Sequence, residues 1–230
     1  MSLVRAPRAV LFDLDGTLAD TAPDLIGALA RLRLQLGLPP IDPAPLKLLA
    51  NRGAPAILGA GLPELDEAER AEFRQNYLDE YRAFCWHESR AFDGIPACLD
   101  AIELLGMRWG IVTNKLEWLA APVVEQAGWR QRAGCLVAGD TAVRPKPAAD
   151  PVLEACRRLS VSPGQVLFVG DDERDVTAGR AAGTLTAVAE WGYIDPGVDP
   201  STWGADCRID TPVALEAMLR GECERERLAI

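Results

Sequence analysis

Ala9-Val10-Leu11-Phe12-Asp13-Leu14-Asp15-Gly16-Thr17-Leu18-Ala19 decides the fold. The apolar run from Ala9 to Phe12 reads as a buried strand that ends in two carboxylates two residues apart, with a glycine and a threonine directly after them. Such a strand delivers charge to its own carboxyl end. In open α/β sheets the crevice beyond the strand ends is where ligands sit, and two carboxylates crowded there repel unless they share a cation or a proton. Gly16 allows a sharp turn. Alone, Asp13 to Thr17 also suits a polar turn after an edge strand, so the choice rests on what the rest of the chain brings to it.

Beyond Asp93-Gly94 the pattern alternates. Helices are expected over 95–105, 117–127, 150–159 and 175–182, and strands over 109–113, 136–138, 166–169 and 185–189. Alternation at this pace means βαβ units, and right-handed crossovers put the carboxyl ends of all strands on one side. The fold class is therefore α/β with a Rossmann-like parallel sheet. The stretch before it has a different texture. Thr21-Ala22-Pro23-Asp24 reads as a helix start, Thr21 capping and Asp24 at N3, ahead of Leu25, Ile26, Leu29, Leu32 and Leu36. From Pro43 to Cys85 the signal stays helical, with breaks at Asn51-Arg52-Gly53 and from Gly59 to Pro63. Its longest piece, Asp66 to Cys85, carries Phe73, Tyr77, Tyr81 and Phe84 on one side. No strand pattern is visible from Thr21 to Ala91. A crossover needs only one helix, so the helical stretch reads as an insertion: residues 1–20 and 92–230 form the core domain and residues 21–91 a helical domain within it. After Trp191 the chain is rich in Pro, Gly and Asp, then shows an amphipathic helix near 212–219 and a charged tail, 222–230, expected to fray.

A chain of 230 residues, 49% of them hydrophobic, can bury a full core. Its formal charge of −10 disfavours a nucleic-acid partner, because phosphate backbones are held by clustered Lys and Arg. No apolar run reaches bilayer length, and Met1-Ser2-Leu3-Val4-Arg5 lacks the features of a secretory signal, so no membrane association and a cytoplasmic location are expected. The six cysteines show no Cys-x-x-Cys pairing, and five lie in contexts that fit reduced, packed thiols. The single histidine, His87, lacks nearby ligands, which argues against zinc.

Three polar clusters follow the later strands. Thr113-Asn114 closes 109–112, Arg144-Pro145-Lys146-Pro147 follows 136–138, and Gly170-Asp171-Asp172-Glu173-Arg174-Asp175 closes 166–169. Each has a plain alternative: a helix cap for Thr113-Asn114, a surface lysine for Lys146, a solvated helix start for the acidic run. All four plain readings would have to hold together, at four strand ends on one face, so the joint functional reading is preferred. Oxygen donors without His or Cys favour Mg²⁺, which commonly shares its shell with a substrate phosphate. A cation, a lysine and a carboxylate nucleophile match phosphoryl transfer through an aspartyl-phosphate. Asp13 supplies the carboxylate, and Asp15 is the acid that would protonate the leaving alcohol and then deprotonate the attacking water.

With these four motifs in order over nearly its whole length, the chain resembles the haloacid dehalogenase superfamily phosphatases that carry a helical, C1-type cap. The resemblance implies Asp13 as nucleophile, Asp15 as acid/base with its backbone carbonyl on Mg²⁺, and Thr113 and Asn114 as phosphate-binding residues. It likewise implies that Lys146 bridges nucleophile and phosphate, that Asp171 is the second direct metal ligand, that Asp175 supports the metal shell, and that 21–91 is a mobile cap. Within the superfamily the chain is most similar to bacterial phosphoglycolate phosphatases and to the related branch acting on N-acetylmuramic acid 6-phosphate. Phe92-Asp93-Gly94, Trp191-Gly192-Tyr193-Ile194 and Trp203-Gly204-Ala205-Asp206 carry that likeness. A Mg²⁺-dependent phosphatase for a small phosphomonoester, a monomer or small homo-oligomer, is the expectation. A phosphosugar mutase would share the four motifs; a dehalogenase proper lacks the second aspartate; a receiver domain, a switch rather than an enzyme, orders its acids differently and has no cap. Selectivity must then come from the cap, where Arg52 beside Gly53 is placed to pair with a substrate carboxylate, the alternative being a surface arginine next to a helix-ending glycine.

Overall fold

The computed structural model describes residues 6–228, with side chains through Gly221. Residues 1–5, which the expectation of no secretory signal concerns, lie outside what is described, as do the side chain of Cys223 and residues 229–230. Six parallel strands form the sheet: β1 (Ala9–Phe12), β4 (Arg108–Val112), β5 (Leu136–Val137), β6 (Val166–Gly170), β7 (Leu185–Ala189) and β8 (Cys207–Ile209), in the order β5-β4-β1-β6-β7-β8. β1 lies between β4 and β6, with Phe12 level with Ile111 on one side and Val169 on the other. That register brings the residues after all three strands to one edge.

The period-2 alternation of a strand splits β1 between two cores. Val10 and Phe12 pack with α4 (Ile95–Leu104), α5 (Glu117–Gln126) and α8 (Pro212–Leu228), through Leu99, Val123 and Leu215 among others. Ala9 and Leu11 face the other way, into Val152 and Ala155 of α6 (Asp150–Leu159) and Ala178 and Ala182 of α7 (Glu173–Ala182). Every residue of β1 is fully buried, which is why the run is apolar without alternation.

The helices expected in the insertion are present as α1 (Ala22–Gln35), a 3₁₀ segment (Ala44–Arg52), α2 (Ala54–Gly61) and α3 (Glu67–Ala83). Several local expectations are corrected. Thr21 makes no capping bond with its side chain, which instead reaches Asp15. Asp24 is no capping-box acid either: its carboxylate accepts from the Glu88 and Ser89 amides, both at 2.9 Å, and from the Ser89 hydroxyl. The true capping box is on α3, where Asp66 and Glu69 exchange bonds. Gly59 lies inside α2, so the break begins later than expected. Phe84 does not join Tyr77 and Tyr81 in the core but lies half exposed under the Arg31 guanidinium. A two-residue strand, β3 (Arg90–Ala91), pairs antiparallel with β2 (Ala19–Asp20) and brackets the helical block. Strands of two residues lack the alternation by which a pattern is recognised. β8 lies in a Pro- and Gly-rich stretch that shows no strand pattern. The tail expected to fray is helical through Leu228. No helix among the described residues is long and apolar enough to cross a membrane.

Arg33 ties the helical block together. It is almost fully buried, and its guanidinium donates to the Pro39 carbonyl (2.6 and 2.8 Å), the Gly61 carbonyl (2.7 Å) and both Glu64 oxygens (2.8 and 3.0 Å). The end of α1, the following loop and the end of α2 thus share one planar donor fork. Arg33→Met keeps the apolar stem and removes every donor, leaving the carbonyl of buried Gly61 unpaired at about 1–3 kcal/mol, while that of exposed Pro39 can turn to water. Urea denaturation should show a loss of roughly 1–3 kcal/mol.

Candidate active site

The Asp13 amide donates to the Val169 carbonyl at 2.9 Å, continuing the β1–β6 ladder by one residue and aiming the carboxylate beyond the sheet edge. Lys146, from the segment after β5, meets it there. Its ammonium lies 2.8 Å from Asp13 Oδ1 and 2.7 Å from Asp175 Oδ1, and it donates to the Val112 carbonyl at 2.8 Å. Three protons and three acceptors leave it no freedom. Asn114 fixes the backbone behind it: Lys146 N donates to Asn114 Oδ1 and Asn114 Nδ2 to Lys146 O, both at 2.9 Å. One amide proton of Asn114 remains for a ligand, beside the buried Thr113 hydroxyl, which accepts from Lys115 N.

Asp171 accepts from Thr17 Oγ1 at 3.0 Å and from the Tyr193 amide at 2.8 Å. A side chain at Gly16, whose φ is +84°, would collide with Asp171 and the Tyr193 ring, so this turn requires glycine. Asp175 Oδ2 accepts from Asp172 N at 3.1 Å while Asp172 Oδ1 accepts from Arg174 N at 2.9 Å, which makes the acidic run a capping box for α7. The helix-start reading and the site reading of this run therefore both hold. Asp172 caps, and Asp171 and Asp175 are buried at the site.

Carboxylate oxygens of Asp13, Asp171 and Asp175 lie within 4.8 Å of one another, all buried. Among the described residues, Asp13 Oδ1 and Asp175 Oδ1 have no partner except the Lys146 ammonium. Burial, with Asp13 and Asp175 close by, pushes Asp171 well above the usual carboxylate range; burial also raises Asp13 against the pull of Lys146, and lifts Asp175 to about 7. Burial acts to lower the Lys146 pKa, but Asp13 and Asp175 outweigh it and raise the pKa. Three acids against one base, with only oxygen donors, is a set that fits a hard divalent cation.

Asp15 stands apart from this group. Its Oδ1 takes the Lys115 ammonium at 2.8 Å and the Thr21 hydroxyl at 2.5 Å. Of the four acids expected at the metal, the side chains of three converge and that of Asp15 does not. Lys115 also lies 4.5 Å from the ring centre of Tyr81 on α3. Neither Lys115, Tyr193 nor Trp191, whose indole donates to the Thr17 carbonyl, was identified as a site residue from sequence. A lysine after Thr-Asn reads as solvated, and the 191–193 stretch shows no periodicity.

A cavity of about 250 Å³ opens over these groups, lined from below by Asp13, Asp15, Thr113, Asn114, Lys115 and Lys146 and from the helical block by Leu25, residues 50–55, Arg74 and Tyr81. Arg52 and Gly53 thus border the same space as Asp13, Gly53 with φ +76° at the junction before α2. A larger apolar cavity of about 520 Å³ near α1, lined by Ile26, Leu34 and Leu38 among others, has Arg33 as its one charged side chain, and Glu64 already neutralises it.

Residues 10–189 match the family described as haloacid dehalogenase-like hydrolase. The chain is 44% identical over 219 residues to the N-acetylmuramic acid 6-phosphate phosphatase of Pseudomonas aeruginosa, covering 94% of this chain and 97% of the relative. It is 42% identical over 212 residues to the phosphoglycolate phosphatase of Xanthomonas campestris, covering 92% and 96%. The fold matches the crystal structure of a predicted phosphoglycolate phosphatase from Haemophilus somnus, with a TM-score of 0.82 at 22% identity over 94% of this chain and 99% of that one.

The raised acids set a pH dependence. Each folded-state pKa lies above its unfolded value near 3.8, so the folded protein holds extra protons and stability falls as pH rises from about 4 through about 7. Asp171→Asn removes one repelling charge. In EDTA at pH 8 this variant should melt higher than wild type, and the difference should shrink at pH 5. Thermal denaturation at the two pH values checks it.

Proposed function

This chain belongs to the haloacid dehalogenase-like hydrolase family, and from that premise we propose that it is a Mg²⁺-dependent phosphatase acting on a small phosphomonoester through an aspartyl-phosphate on Asp13. The observation that carries this reading is the convergence of Lys146, Asp171 and Asp175 on the Asp13 carboxylate, with a second acid, Asp15, held separately beside the same cavity. Asp13, Asp171 and Asp175, with the Asp15 main-chain carbonyl, would hold Mg²⁺. When bound, the ion offsets the excess negative charge of the acids and of the substrate phosphate.

An Asp13 oxygen attacks phosphorus, the P–O bond to the leaving alcohol breaks, and Asp15 gives its proton to that alcohol. Water then attacks the aspartyl-phosphate, Asp15 takes the proton, and inorganic phosphate leaves with Asp13 regenerated. Lys146 neutralises nucleophile and phosphate together; the Thr113 hydroxyl and the remaining Asn114 amide proton bind phosphoryl oxygens. Lys115 and Thr21 both engage Asp15 Oδ1, which leaves Oδ2 for the leaving group. Residues 21–91 act as the cap that excludes water, the core being 1–20 and 92–230. The β2–β3 ribbon at the ends of the block supports that division. Five described cysteines are buried and unpaired, which supports a reducing, cytosolic setting.

The two most informative substrates are 2-phosphoglycolate and N-acetylmuramic acid 6-phosphate, both carrying a carboxylate. Arg52 lines the cavity, is exposed, and its side chain has no hydrogen-bond or ion-pair partner among the described residues. It is the residue we assign to that carboxylate.

Asp13→Asn should remove essentially all turnover of every phosphomonoester with the fold retained; wild-type turnover would overturn the mechanism. Asp15→Asn should lose ~10²–10⁴-fold on alkyl phosphates and much less on p-nitrophenyl phosphate, whose leaving group departs unprotonated. Equal losses would make Asp15 structural.

Arg52→Ala should lower kcat/KM for the two carboxylated substrates more than for p-nitrophenyl phosphate, by the ~1.5–3 kcal/mol of a charged hydrogen bond. A uniform change across the three would detach Arg52 from the substrate.

A further inference from the structure

Arg174, the second residue of α7, reaches from the acidic loop of the core to the helical block. Its Nε and Nη2 donate to the two oxygens of Asp172 at 2.7 and 2.9 Å, and Nη2 also donates to the Asn51 carbonyl at 2.7 Å. The residues directly after Asn51 are Arg52 and Gly53. Arg52 borders two spaces: the catalytic cavity, which Asp172 and Arg174 also line, and an outer recess formed with Pro147, Asp172, Glu173, Arg174 and Thr177. Arg52 therefore stands near two kinds of anion, a substrate group and the carboxylates of Asp172 and Glu173, and only the first serves selectivity.

We propose that Arg174 is a positioning residue for substrate selectivity, which engages both oxygens of Asp172 and holds the Asn51 carbonyl, so that Arg52 stays unpaired and turned to the cavity. The inference rests on the assignment of Arg52 to a substrate carboxylate. With Arg174 removed, both Asp172 oxygens lose their guanidinium partner beside Arg52 and become open to it. The geometry needs arginine: a planar fork matches both carboxylate oxygens and still reaches a carbonyl, whereas a lysine ammonium is a single point of charge. The capping bond from Arg174 N to Asp172 is a main-chain donor and survives substitution, so α7 keeps its start.

The test is a double-mutant cycle on Arg52→Ala and Arg174→Ala, with Arg174→Lys as the conservative variant. The readout is the ratio of kcat/KM for 2-phosphoglycolate, and separately for N-acetylmuramic acid 6-phosphate, to that for p-nitrophenyl phosphate. Arg174→Ala should lower the ratio by about 3- to 10-fold, mainly through KM, with Arg174→Lys between it and wild type. The double variant should fall no lower than Arg52→Ala, because both changes remove the same contact. Amide hydrogen exchange should speed up at residues 52–54 in Arg174→Ala while residues 9–13 stay protected. A ratio that falls in Arg52→Ala but not in Arg174→Ala, or losses that simply add, overturns this inference and leaves the proposed function standing. A ratio that moves in neither variant removes the Arg52 assignment and the positioning role with it.

Discussion

Three carboxylates and one ammonium are buried together at the end of β1, and the surrounding structure is arranged around that imbalance. Asp13, Asp171 and Asp175 are each disfavoured as anions by burial, and Lys146 can answer only part of the excess. The remainder is the physical basis for expecting a cation, and it is built at the expense of stability. What makes it tolerable is that each charged group is held by parts that cannot easily move: a strand-end carbonyl under Lys146, the Asn114 amide behind it, Thr17 and the Tyr193 amide on Asp171. The three strand ends brought level by the parallel register supply the frame.

Two acids two residues apart end in different company. Asp13 is paired with Lys146, Asp15 with Lys115, and the two lysines come from different segments following β4 and β5. One acid thus joins the charge cluster and the other faces the helical block, where Thr21 and the ring of Tyr81 complete its surroundings. The turn at Leu14 gives the two acids different settings within a single pentad, as the proposed roles of nucleophile and proton carrier require.

The helical block is joined to the core by the β2–β3 backbone pairing at its ends, and one buried carboxylate ties those ends of the block to each other. Asp24 collects two amides and a hydroxyl from Glu88 and Ser89, binding the start of the insertion to its return segment. At the far side of the cavity the contact passes through Arg174 to the Asn51 carbonyl. Apolar packing is continuous between the two parts through Leu14, Leu18 and Ala22, so the block grows from the same core as the sheet.

Local chemistry determined much of this molecule before any tertiary contact. The unbroken apolar run of Ala9 to Phe12, the 3.6-residue spacing of Leu25, Leu29 and Leu32, and the strand-end clusters at Thr113, Lys146 and Asp171 are all written in near-neighbour pattern, and they carried the α/β sheet, the helical insertion and the four motifs. Tertiary structure alone decided what depends on pairs far apart in the chain. Thr21 reads as a helix cap because its neighbours suit one; it serves Asp15 because the turn brings that oxygen within reach. Lys115 has no distinguishing neighbours, and its meaning comes from Asp15 one hundred residues away. The two-residue strands are too short for periodicity to mark, and β8 lies among turn residues, so long-range pairing is what defines them. Residue type and spacing fix which groups can do chemistry; only folding fixes which charges meet, because electrostatic and hydrogen-bond energies depend on distances that no local pattern encodes.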